Sequence, residues 1–205
     1  MKLTLVLHNI RSTYNVGAIL RTAEGLGVEK VVFSGYTPRY DDQQILPHLR
    51  AKLNRQIEKS ALGAEKLVPS ETVEDLGDWL GEQREKGEIV VGLENNLSPE
   101  ETKKKVVLGP GESAALFFET ISQATAENEM ASARDDETEE HRVEKNSDVF
   151  SLDPNVILIL GEEVEGIPAE IREECDYFLE IPMRGKKESF NVSVAAGIAM
   201  WGLVG

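Results

Sequence analysis

The 205-residue chain contains one cysteine, Cys175, and three histidines, His8, His48 and His141. A single thiol excludes an intramolecular disulfide and any multi-cysteine metal site, and so few imidazoles leave zinc almost no ligands, so no metal is expected. No stretch reaches the roughly 18 consecutive apolar residues that a membrane-spanning helix needs. The N-terminal MKLTLVLHNIRS lacks the long apolar run and small-residue cleavage site of a secretory signal. These absences predict a soluble, cytoplasmic protein with no membrane partner. Basic residues are also scarce, with 22 Lys and Arg against 37 Asp and Glu, a formal charge of −15. The deficit is uneven. Residues 1–66 carry ten basic and six acidic side chains, whereas 71–150 carry eight against twenty-one and 151–205 four against ten. A basic first third can still meet phosphate, because a local patch sets the local field, although an imbalance this small is also ordinary surface variation.

Hydrophobic residues at 40% and charged residues at 29% describe a globular chain, long enough for one domain with a real core. Lys2–Leu7 alternates as a strand, and Val16, Ile19, Leu20, Ala23 and Leu26 recur at helical spacing up to a stop at Gly25 or Gly27. Lys30–Ser34 reads as a second strand, 46–60 as a helix carrying Leu49, Leu53 and Ile57, and Ser70 as the opening of a third helix with Val73, Leu76 and Leu80. Glu88–Glu94 is a strand, Ser98-Pro99-Glu100-Glu101 opens a short capped helix, and 114–119 is a strand. From Glu127 to Asp148 there are nine acidic and three basic residues and no aromatic. Such a segment cannot offset its ordering entropy, which predicts a disordered or loosely helical acidic insertion over about 121–149. It is expected to be a solvated spacer, or a mimic of a phosphate polyanion lying on the basic face of Arg11, Arg39, Arg50, Lys52, Arg55 and Lys59. Order returns with the apolar strand Asn155–Leu160, a short helix near Ala169–Cys175, a strand at Phe178–Ile181 and an almost wholly apolar helix over Val192–Leu203. Strands alternating with helices predict an α/β layered fold with a mainly parallel sheet.

Three polar clusters fall at strand ends, where such folds build their sites. The first runs from Asn9 through Arg11, Ser12 and Asn15 to Gly17, with Arg21-Thr22-Ala23 following. Asn15 is placed to cap a helix whose free N–H groups favour an anion. A capped helix with a salt-bridged arginine accounts for this cluster equally well. The second is Gly161-Glu162-Glu163-Val164-Glu165-Gly166. It has the glycine spacing of a phosphate loop, but Ile167-Pro168 stands where Lys-Ser/Thr is required and three glutamates repel phosphate, which excludes a nucleoside triphosphate site. No G-x-G-x-x-G follows any strand, so the common dinucleotide fingerprint is missing too. The third cluster runs from Ile181 through Met183, Arg184, Lys186 and Lys187 to Ser189, Phe190 and Asn191. Ser189 and Asn191 also suit plain helix capping.

Taken in order, N-I-R-S-x-x-N-V-G-A-I-x-R-T-A, L-G-E-E-x-E-G-I and I-P-M-x-G-x-x-x-S-F-N-V-S-V-A closely resemble the three signature motifs of the SpoU (TrmH-type) RNA methyltransferases of the SPOUT superfamily. The resemblance covers residues 1–95 and 150–205 but not the acidic insertion. It implies a single SpoU-type domain over 1–205, a C-terminal trefoil knot, a homodimer with the last helix in its interface, and S-adenosylmethionine as methyl donor. The implied reaction places a methyl group on a ribose 2′-hydroxyl of tRNA or rRNA. Position by position, it makes Arg21, Asn15, Glu163, Ser189 and Asn191 the catalytic set. Gly161, Ile181, Met183, Phe190 and Ser189 become donor contacts, with Phe190 replacing the more usual leucine, and Arg11, Arg21 and Asn15 become RNA contacts. Glu163 is expected to orient Arg21 or Asn15. A free guanidinium stays protonated near neutrality, so Arg21 is expected to stabilise the developing alkoxide and an adjacent phosphate. The competing expectation is a noncatalytic RNA-binding or regulatory protein with the same fold; the joint presence of Arg21 and Asn15 favours the enzyme.

Overall fold

A computed structural model describes residues 2–109, 119 and 155–204. Among them, seven strands form one sheet: β1 (Lys2–His8), β2 (Lys30–Ser34), β3 (Ser70–Val73), β4 (Ile89–Leu93), β5 (Lys105–Val107), β6 (Asn155–Leu160) and β7 (Tyr177–Glu180). Their order across the sheet is β3-β2-β1-β6-β4-β7-β5, and every pairing is parallel. Among the described residues, five α-helices with defined bounds join them: α1 (Thr13–Gly25), α2 (Pro47–Ala61), α3 (Leu76–Glu85), α4 (Ala169–Arg172) and α5 (Val192–Val204).

The central strands are buried on both faces. Leu3, Leu5 and Leu7 of β1 and Val156, Leu158 and Leu160 of β6 pack beneath α1, α2 and α5. Val6, Ile157 and Ile159 face the other way, onto Leu76 and Leu80 of α3, Ile171 and Phe178. The alternation in β1 therefore does not separate core from solvent, since even Thr4 is buried; it separates two cores, as parallel strands covered by helices require. The α/β class and the mainly parallel sheet are as expected. Among the described residues no helix is long and apolar enough to cross a membrane.

Three elements differ from expectation. Ser70–Val73 does not open α3; it is an edge strand beside β2, with Glu71 ion-paired to Lys30 at 2.8 Å. The helix begins at Leu76, because Asp75 supplies the cap by accepting the Asp78 N–H at 3.0 Å. After Pro99 there is only a single 3-10 turn, although the anticipated capping box forms in both directions: Ser98 N–H donates to Glu101 Oε2 at 2.6 Å and Glu101 N–H to Ser98 Oγ at 3.3 Å. The short strand β5 that follows was not anticipated, its three residues being too few for a visible pattern. The acidic insertion lies outside the described residues, as does the strand expected over 114–119 apart from Glu119, which is helical and exposed.

Helix α2 packs on α1 through its C-terminal half, where Ile57 is buried, while Leu49 near its start is 44% exposed. A Cβ at Gly17 would overlap Ser60 Oγ and the Ile57 carbonyl oxygen, so glycine is what lets the two backbones touch. Cys175 is buried, and burial pushes its thiol up to about 12. Gly17→Ala is expected to pry α2 from α1 and lower the unfolding free energy by about 1–3 kcal/mol, the usual cost of overpacking; chemical denaturation measures this.

Candidate functional site

Four neighbouring strands, β1, β6, β4 and β7, end on the same edge of the sheet, and the loops leaving them meet there. This is where parallel sheets open a crevice. A cleft of about 510 Å³ lies at the ends of β4, β6 and β7, lined by Leu93 and Glu94, by Leu160 through Gly166, by Ile181, and by Glu188, Ser189 and Phe190. Such a volume suits a small organic ligand. Leu160, Ile181, Phe190 and Val192 give it an apolar side, while Glu94, Glu162, Glu163, Glu165 and Glu188 bring carboxylates, with Arg172 the cation among them.

Glu163 ties the second loop to the first. Its Oε2 accepts the Arg11 N–H at 3.2 Å, and its Oε1 accepts the Ser12 N–H at 3.3 Å and the Asn15 Nδ2 at 3.1 Å. The anion expected at the start of α1 is therefore the protein's own carboxylate. Burial alone would raise the Glu163 carboxyl; the N–H groups of Arg11, Glu163 itself and Ser12, with the Asn15 amide, more than offset this and hold it below the usual carboxylate range. Asn15 is not the cap of α1. Ser12 is, accepting the Asn15 N–H on Oγ at 3.3 Å. Asn15 sits inside the first turn, which frees its side chain to bridge: it donates to Glu163 and accepts Asn191 Nδ2 on Oδ1 at 3.2 Å. Asn191 in turn starts α5, accepting the Ser193 N–H at 2.9 Å. Glu163, Asn15 and Asn191 thus form a continuous chain through all three loops.

The other expected residues separate. Gly161, Ile181, Phe190 and Ser189 line the cleft, whereas Met183 is half-buried beside it and is not part of the lining. Ser189 makes no hydrogen bond among the described residues. Arg21 is exposed on α1 and is not held by Glu163, which selects Asn15 instead. Arg11, expected at phosphate, has its guanidinium ion-paired with Glu162 and 5.8 Å from the Tyr36 ring centroid.

One supporting residue, Glu94, belongs to no motif visible in the sequence. Glu94, at the end of β4, accepts the N–H groups of Asn95, Asn96 and Ile167 at 2.9, 3.1 and 3.2 Å and so clips the second loop to the cleft wall. Its position at a strand end was the one available hint. Gly161 has no room for a side chain, because a Cβ would strike the backbone of Gly166 and Ile167; Gly166 makes the tight return at φ +73°. Behind the first loop, Asn9 Nδ2 donates to His8 Nε2 at 3.0 Å, which leaves the ring proton on Nδ1, 2.8 Å from Ser34 Oγ. Burial lowers the His8 pKa against the opposing pull of Glu170, as suits a structural imidazole.

Comparison with known proteins accords with this arrangement. A 23S rRNA (guanosine-2'-O-)-methyltransferase, RlmB, of Bordetella pertussis is 28% identical over 200 residues, covering 97% of this chain and 58% of that protein. An AdoMet-bound rRNA methyltransferase from Sinorhizobium meliloti superposes with a TM-score of 0.62 at 19% identity, over 98% of this chain and 55% of the other. The SpoU methyltransferase AviRb from Streptomyces viridochromogenes, in complex with AdoMet, gives 0.61 at 19% identity, over 99% and 57%. The chain thus spans a little over half the length of each of these three relatives. With the SpoU rRNA Methylase pattern matched over residues 2–118 and 112–201, on a parallel sheet whose three motif loops are bonded into one chain, this protein belongs to the SpoU rRNA Methylase family.

Proposed function

We propose that the protein transfers a methyl group from S-adenosylmethionine to a ribose 2′-hydroxyl of tRNA or rRNA. The observation that carries this reading is the cleft walled by the second and third motif loops, with the first loop bonded to both through Glu163, Asn15 and Asn191. The lining suits the donor. Leu160, Ile181, Phe190 and Val192 offer a surface for a flat base, and the surrounding carboxylates suit a ligand bearing ammonium and sulfonium charge. The donor supplies an electrophilic methyl carbon when bound.

The roles divide by which polar atoms are free. Asn15, Glu163 and Asn191 spend their hydrogen bonds on one another and on backbone, so they act as positioning residues that hold the loops in register. Arg21 and Ser189 have no partner among the described residues and are available to RNA and donor. Arg21 stabilises the alkoxide that develops at the 2′-oxygen and the adjoining phosphate, and holding the acceptor in line with the methyl group supplies much of the acceleration. Gly161, Ile181, Phe190 and Ser189 meet the donor, with Met183 buttressing the third loop. Arg11 reaches RNA by exchanging Glu162 for phosphate.

The same reading takes 1–205 as a single SpoU-type domain, with the C-terminal segment threaded into a trefoil knot, and places the protein in the cytoplasm. It assembles the protein as a homodimer through the almost wholly apolar α5, whose Val194 and Trp201 are 49% and 68% exposed.

Tritiated S-adenosylmethionine incubated with tRNA and rRNA from cells lacking the gene is expected to label ribose 2′-oxygens; RNA binding without label transfer would overturn the catalytic reading. Arg21→Ala should bind the donor normally in calorimetry yet lose about a hundredfold or more in turnover. For Glu163 the lowered folded-state pKa sets the sign. Its stabilisation is complete above the ordinary carboxyl range and is lost as the pH falls through the lowered value. Glu163→Gln should therefore cost about 1.5–3 kcal/mol at neutral pH and remove this acid limb from the stability profile, as denaturation at several pH values would show.

A further inference from the structure

Among the described residues, twelve of the nineteen Lys and Arg side chains have a partner and seven do not, and those seven are not scattered. Among the described residues the Lys and Arg side chains without a carboxylate, carbonyl, amide, hydroxyl or ring partner are Arg21 on α1, Lys52, Arg55 and Lys59 on α2, and Arg184, Lys186 and Lys187 in the third loop. Every other described Lys or Arg is engaged; Lys2 pairs with Glu29, Lys30 with Glu71, Arg84 with Glu174 and Asp176, and Arg172 with Glu101. In a chain with 37 acidic residues, leaving seven cations unpaired on adjoining elements is a placement that solvation alone does not require.

The spacing on α2 makes a line. Lys52, Arg55 and Lys59 stand three and four residues apart, all exposed, with His48 continuing the stripe one turn earlier. At 1.5 Å per residue, Lys52 to Lys59 spans about 10 Å of helix. The carboxylate on this helix, Glu58, is turned away, accepting the Tyr40 hydroxyl at 3.1 Å. The elements between the stripe and the cleft touch in sequence. Thr13 Oγ1 bonds Gln56 at 3.2 Å and Gly17 abuts Ile57 and Ser60, so one side of α1 lies on α2. Asn15 on another side meets Asn191 at the end of the third loop. Helical periodicity sets Arg21, eighty degrees or so from Thr13, on the solvent face between those two sides. The third loop then contributes Arg184, Lys186 and Lys187, which directly precede the cleft-lining Glu188, its one carboxylate.

We propose that Lys52, Arg55 and Lys59 form a docking rail for the phosphodiester backbone of RNA, which continues across Arg21 to the basic third loop. This rests on the RNA-modifying reading above and adds where the strand runs. Because phosphate contacts position without reading bases, the rail sets orientation and affinity and leaves nucleotide choice to the cleft.

The test uses the full chain with two probes, a labelled oligouridylate and an unmodified tRNA transcript, titrated by fluorescence anisotropy over a range of salt concentrations. Removing three phosphate contacts from a single strand should flatten the slope of log K against log salt by about two units. K52Q/R55Q/K59Q should show that loss on both probes, with a higher KM for RNA, an unchanged kcat and unchanged S-adenosylmethionine binding, because the contacts act equally before and during the reaction. The charge-preserving K52R/R55K/K59R should retain the wild-type slope, and K2Q/K103Q, which removes exposed cations elsewhere, should retain it as well. A wild-type slope in K52Q/R55Q/K59Q, or equal losses in the charge-preserving variant, would overturn the rail while leaving methyl transfer standing. A wild-type protein that binds neither probe would overturn both the rail and the RNA-modifying reading.

Discussion

A single carboxylate set against the first turn of α1 holds the site together. Glu163 accepts two backbone N–H groups and one side-chain amide from a loop about 150 residues away in the chain, at the helix end where an anion is most favoured. Everything downstream depends on that contact. It directs the Asn15 amide nitrogen toward the second loop, leaves the Asn15 oxygen for Asn191, and so fixes the start of α5 relative to α1. Because the same carboxylate is held ionised by its donors, the link is charge-assisted throughout the neutral range.

The sheet makes this contact possible. Placing β6 between β1 and β4, with β7 on the far side of β4, brings the ends of strands from both halves of the sequence to one edge. The turns that leave them are tight because Gly161 and Gly166 let backbone meet backbone, and because Glu94 gathers the N–H groups that would otherwise be left without acceptors. The loops are therefore tied to one another where they define the cleft, and they face it with carboxylates as well as with apolar side chains.

Charge is divided in a way that suits two ligands of opposite sign. Carboxylates line much of the cleft, where a cationic donor would sit, whereas the cations left unpaired among the described residues lie on α2, the outer face of α1 and the third loop. An excess of fifteen negative charges over the whole chain says nothing about this division, since fields at a surface are set by neighbours within a Debye length.

Much of the fold was legible in the sequence. Apolar runs such as Asn155–Leu160, the helical spacing in α1 and the three polar clusters at strand ends were plain, because burial on both faces of a parallel sheet leaves continuous hydrophobic runs and glycine-bearing loops leave recognisable spacing. Short edge elements were not legible. Ser70–Val73 and Lys105–Val107 carry too few residues to establish a period, and they are strands only because a neighbouring strand offers its hydrogen bonds. Within the site, the family resemblance named Asn15, Glu163 and Asn191 and an orienting role for Glu163 but left its partner open, while the cap expected of Asn15 is supplied by Ser12. Whether Asn15 caps a helix or bridges two loops, and whether Glu163 holds Arg21 or Asn15, depends on atoms brought together across the whole chain. The sequence by itself determined the layered α/β class and marked the three polar loops that meet at one edge of the sheet, since these follow from local hydrophobic patterning and loop composition. Only the tertiary structure decided which polar group meets which, because a hydrogen bond is directional over about three ångströms and that geometry is set by strand order, which no local pattern encodes.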